Sequence, residues 1–142
     1  MADLGIPVTQ RIVQAVVARL RLIAGAGYHT NIGKHVHDEP TWYIPEGEPC
    51  VVVFDASKVK SGDRGVRSER EYVGLIEATI PCSMENAART RRLADADIEQ
   101  VLDGWIWDTG ALPLQVEESV FLDKPDGLQV IALQVTFSTR YR

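Results

Sequence analysis

The chain has 142 residues, 45% of them apolar and 25% charged, with a net charge of −5. A chain of this length buries roughly two-thirds of its unfolded surface, enough for a core that needs neither metal nor disulfide. The acidic balance, with a pI near 5.2, excludes a generic binder of nucleic acid or anionic lipid and leaves room only for a local basic patch.

Residues 8–24 read as an amphipathic helix. Ile12, Val13, Val16, Val17, Leu20 and Ile23 recur at helical spacing, and Arg11, Arg19 and Arg21 lie off that stripe. Thr9 is the expected N-cap and Gly25 the expected stop. Residues 25–49 are punctuated by glycine and proline, a long connection of the kind that carries function or orders against a neighbour. Trp42 and Tyr43 within it are candidate contact residues.

Cys50–Phe54 is a continuous β-branched run, read as a strand buried on both faces and extending to Asp55. Residues 57–71 read as a polar loop. It carries Lys58, Lys60, Arg64, Arg67 and Arg70 inside an acidic chain, and it is expected to be mobile and to dock on an acidic surface. Tyr72–Ile80 alternates as a second strand, with Tyr72, Gly74, Ile76, Ala78 and Ile80 on one face. Pro81 ends it.

Ser83 is the expected N-cap of a second helix over 84–102. Ala87, Ala88, Ala94, Ile98, Val101 and Leu102 form its apolar stripe; Arg89, Arg91, Arg92, Asp95, Asp97 and Glu99 read as a solvated face. A loop with the large anchors Trp105 and Trp107 follows. Strands over 114–122 and 128–138, joined by the turn Asp123-Lys-Pro-Asp-Gly127, complete an antiparallel hairpin. The order helix, loop, strand, strand, helix, strand, strand predicts one α+β domain, a mostly antiparallel sheet with both helices on one face.

Chemistry is sparse. His29, His35 and His37 cluster with Asp38 and Glu39, residue types that ligate metals. Their spacing in an irregular, glycine-rich segment fits an exposed polar loop better. A small enzyme or binding protein using this loop is the rival to a structural role. Cys50 and Cys82 sit in or beside strand-like runs without CxxC spacing, which predicts buried, reduced thiols. No nucleophile elbow or phosphate loop is present. The expectation is therefore a protein without catalytic residues, metal or cofactor. No run approaches the roughly 20 apolar residues that span a bilayer. The amino-terminal Met-Ala-Asp-Leu-Gly lacks the features of a signal peptide, so synthesis in the cytoplasm is expected.

Over nearly its full length the chain resembles the tail terminator, or tail completion, proteins of long-tailed bacteriophages. The similarity runs through the helix Thr9–Ala24 and the tract Gly27-Tyr-His-Thr-Asn-Ile-Gly33-Lys-His-Val. It continues through the strands at Cys50–Asp55 and Tyr72–Ile80, then Asp97-Ile-Glu-Gln-Val-Leu102 late in the second helix, and ends with a hairpin at Phe137–Tyr141. The resemblance implies a non-enzymatic homo-hexameric ring that caps the tail tube, ends tail growth and offers a head-joining surface. Its implied partners are itself, a tail-tube protein and a head-completion protein, with no nucleic acid read by sequence and no membrane. Its implied place is the bacterial host cytoplasm during assembly, then the head–tail junction of the virion. Another head–tail connector or a tail-tube subunit is the nearest alternative. The candidate interface residues are Trp42, Tyr43, Lys58, Lys60, Arg64, Arg67, Arg70, Trp105 and Trp107.

Overall fold

The computed structural model describes residues 5–39, 47–62, 69–81, 86–122 and 130–141. Helix α1 spans Val8–Leu20 and α2 spans Ala87–Leu102. Strands β1 (Val36–His37), β2 (Cys50–Gly62), β3 (Glu69–Pro81), β4 (Gln115–Leu122) and β5 (Val130–Tyr141) form one sheet. Its order is β1-β2-β3-β5-β4. Only β1–β2 is parallel; the other three pairings are antiparallel. The α+β class and mostly antiparallel sheet are therefore as the periodicity predicts.

One face of this sheet makes the core. Val51 and Val53 of β2 are buried with Tyr72, Ile76, Ala78 and Ile80 of β3 and with Ile131, Leu133, Val135 and Phe137 of β5. The registers Val53↔Ile76 and Ile76↔Val135 put these residues in rows, because side chains on one face repeat every second residue. The helices lie across the rows and bury Ile12, Val13, Val16, Val17 and Leu20 of α1 and Ala94, Ile98, Val101 and Leu102 of α2. Ile23 is also buried, although α1 ends at Leu20. Its amide donates to Leu20 O in a tighter turn that prolongs the apolar stripe.

Several boundaries move for physical reasons. Pro7, not Thr9, is the N-cap of α1, and its carbonyl accepts from the Arg11 amide. Cys50–Phe54 is fully buried only on the helix side, by Val51 and Val53; on the side the helices leave open Cys50 is buried but Val52 and Phe54 are half-buried. The expected loop over 57–71 is strand at both ends, since β2 runs to Gly62 and β3 starts at Glu69. Register shifts at Asp55/Ser57 and Lys60/Gly62 mark bulges that let the pairing continue through polar residues. Short β1 went unread because two residues carry no periodicity. The expected N-cap Ser83, Cys82 and the turn at 123–127 lie outside the described residues. Ala88 is exposed, and Asp97, expected on the solvated face, is fully buried.

Candidate functional site

Asp97 explains how the irregular segment after α1 is held. Its Oδ1 accepts from the His29 amide (2.9 Å), and its Oδ2 accepts from the amide and hydroxyl of Thr30 (both 2.7 Å). A buried carboxylate is tolerated when its lone pairs meet donors in this way. A helical-spacing signal for it was present: Asp97 is three residues after Ala94 and four before Val101, squarely on the buried stripe. Its charge class hid that signal. The same segment is pinned by Gly33, whose amide donates to Ile23 O at 2.8 Å. A Cβ there would sit 2.5 Å from Leu20 O and 2.6 Å from Ile23 O, so only glycine fits.

The arginines off the stripe of α1 bind neighbouring elements. Arg19 Nε donates to Val101 O (2.8 Å) at the end of α2, where a cation meets the unpaired carbonyls, and its guanidinium lies over Trp105. Arg21 donates to Val36 O (3.0 Å), and Arg11 pairs with Asp108 (3.2 Å) while lying over Trp107.

These contacts place two expected interface residues. Trp105 and Trp107 are half-buried and packed against the core, and Trp107 Nε1 donates to Thr139 Oγ1 (3.0 Å). Backbone bonds between Gly104 and Leu114 and between Leu114 and Trp105 close the loop upon itself, and Leu112 N–H docks it onto Arg140 O. The exposed large apolar side chains of this loop are Ile106, 53% exposed, and Leu112, 48% exposed. Both tryptophans are half-buried against their own chain, and the loop also turns the polar Asp108 and Thr109 to solvent.

The basic candidates separate as well. Lys58 and Lys60 lie on β2 and Arg70 on β3, with registers Lys58↔Tyr72 and Lys60↔Arg70 that set all three on the helix-bearing side of the sheet. On the opposite side of this projecting hairpin, Val59 is 51% exposed, and Arg140 pairs with Glu71 at 3.1 Å. Trp42, Tyr43, Arg64 and Arg67 lie outside the described residues.

The histidines take three separate roles. His29 contributes its amide to Asp97; His35 contacts Glu48, which also binds Lys34 Nζ at 2.7 Å; His37 lies on β1. Lys34 and His35 hold the Glu48 carboxyl below its ordinary range. Among the described residues, no group of three or more His, Cys, Asp or Glu is placed to hold a metal ion. A cleft of about 390 Å³ between α1 and β2 is lined by Thr9, Gln10, Asp38, Glu39 and Asp55. The Tyr72 hydroxyl donates to Asp55, and burial followed by that carboxylate pushes the phenol pKa far up. The described polar lining is three carboxylates with Thr9 and Gln10, and it contains no histidine, cysteine, lysine or arginine. Cys50 is a buried free thiol, raised in pKa by burial. No described helix is long and apolar enough to cross a membrane.

No protein-family model matches this chain, and no curated protein sequence does. Solved structures do. A chain described as "Virion of native gene transfer agent (GTA) particle" is 15% identical, covers 96% of this chain and 98% of its own, and superposes with a TM-score of 0.70. A second solved protein, whose name states no activity, is 14% identical over 97% of both chains with a TM-score of 0.59. At these identities the likeness establishes a shared fold over the whole length.

Proposed function

We propose that this protein is a non-enzymatic structural subunit of a phage-like particle, forming a ring, most simply a hexamer, that caps the tail tube and presents the surface to which a head joins. The observation that carries this reading is the end-to-end fold likeness to a chain of a gene transfer agent virion, at a TM-score of 0.70. The tail-terminator resemblance of the sequence adds the position in the particle and the ring. The exposed aliphatic side chains Ile106 and Leu112 beside charged residues suit a subunit that meets other proteins. Its partners would be further copies of itself, a tube protein and a head-completion protein, met in the bacterial cytoplasm and retained in the virion.

Light scattering and electron microscopy over a concentration range, with and without tail tubes, test the reading. The expected outcome is a closed ring that binds one end of each tube. Copies stacked along the tube would instead identify a tube subunit, and binding to heads alone a head-side connector. A strict monomer that never binds tubes or heads would end the structural reading.

A further inference from the structure

An antiparallel sheet with one solvated face alternates apolar residues inward with polar residues outward. This sheet breaks that rule. On the side away from the helices it presents Val52 and Phe54 of β2, Val73 and Leu75 of β3, and Val120 and Leu122 of β4, all half-buried. The registers Phe54↔Leu75, Val73↔Ser138 and Val120↔Gln134 set them on that one side. Strand spacing and rise give this face roughly 14 by 20 Å between its outermost Cα atoms. Both α-helices lie on the other side, and the described strands form a single sheet, so no described layer covers it. Its uncompensated charges are acidic. Glu77 stands half-buried beside Val52, and Glu118, exposed, lies across from Thr136. No described lysine is on that side, and the arginine there, Arg140, pairs with Glu71 at 3.1 Å.

We infer that a second copy covers this face with the outer face of its α2. This deepens the ring reading proposed above and rests on it. An apolar sheet face is buried by adding a layer, and helices are the layer this chain already uses on its other side. Charge selects the helix. The exposed bases Arg11, Arg21, Lys34 and Arg140 are each engaged within their own chain. Arg89 and Arg92 of α2 are exposed and enter no ion pair among the described residues. They sit one turn apart, with Cβ atoms about 5–6 Å from each other. Their long side chains can spread to both Glu77 and Glu118, whose Cα atoms strand geometry sets about 12 Å apart. Ala88 and Ala96, also exposed, flank Arg92 at four-residue spacing. Side chains this small let the helix axis come close to the apolar rows of the sheet.

The same charges disfavour the simplest rival. Two of these sheet faces packed together would gather two Glu77 and two Glu118 in an apolar layer, and a carboxylate buried without a partner is costly. The contact of sheet face with helix face joins two different surfaces, the head-to-tail class that can close into a ring.

Hydroxyl-radical footprinting of the unmodified chain, below and above the assembly concentration, is the direct test. Labelling of Phe54, Leu75 and Leu122 should fall severalfold on assembly. A ring in which these residues label as they do in the monomer overturns the contact and leaves the ring reading standing. Protection that arrives only when tail tubes are added gives the face to the tube protein and also overturns the contact between copies. Charge reversal is the second arm, with folding verified by circular dichroism. Glu77→Arg with Glu118→Arg, or Arg89→Glu with Arg92→Glu, should each weaken assembly about tenfold, and all four in one chain should restore it. A folded combined variant that fails to recover overturns the pairing of these two faces. A monomer under every condition overturns the contact and the ring together.

Discussion

At the scale of single residues, the strongest constraint is a buried carboxylate. Asp97 satisfies three donors of the segment leaving α1 and is itself fully buried. Asp97→Ala would leave two amides and a hydroxyl short of an acceptor, so urea unfolding should show a loss of about 3 kcal/mol. A loss below about 1 kcal/mol would mean that water replaces the carboxylate. Tyr72 makes a pH-dependent contribution of definite sign. Its phenol pKa is raised above the ordinary value of 10.0 by burial and by Asp55. The folded state thus keeps a proton that the unfolded state releases. The stabilisation is complete below pH 10 and is lost as the pH climbs above it, with a slope of at most about 1.4 kcal/mol per pH unit. Stability of Tyr72→Phe should fall less steeply over that alkaline range than that of the unmodified chain. Parallel curves would show that Tyr72 ionises as freely folded as unfolded.

At the scale of elements, the β3–β5 pairing depends on a missing side chain. Gly74 lies under the Phe137 ring, where an added Cβ would come within 2.4 Å of Cζ. Phe137 is fully buried and cannot swing away, so Gly74→Ala should destabilise by about 2 kcal/mol through overpacking. Combining it with Phe137→Leu should recover part of that loss, whereas additive losses would place the strain elsewhere. The loop after α2 shows a different division of labour. Its two tryptophans were legible as anchors, but spacing alone does not say whether an anchor is set into a partner or into its own chain. Arg11, Arg19 and Thr139, remote in sequence, supply the contacts that both tryptophans make within the chain. The β2–β3 hairpin was underestimated for a related reason. Polar, lysine-bearing strand ends lack the alternation that reveals a strand, and they pair because the neighbouring backbone is already in register.

At the scale of the whole molecule, both helices share one sheet face, and Arg19 ties α1 to the end of α2. The helices share one continuous core with the sheet, so thermal unfolding followed by tryptophan fluorescence and by far-ultraviolet circular dichroism should give one coincident transition. Two separated midpoints would show that the helical layer melts apart from the sheet. The apolar periodicities by themselves determined the α+β class, both helices, four of the five strands and the inward faces of β3 and β5, because burial on one side of a regular element imposes its period on the chain. Tertiary structure alone decided the strand order β1-β2-β3-β5-β4, the parallel pairing of β1 and the burial of Asp97. Those features arise between segments remote in the chain. A charge such as that of Asp97 can enter the core only where another segment brings donors to it.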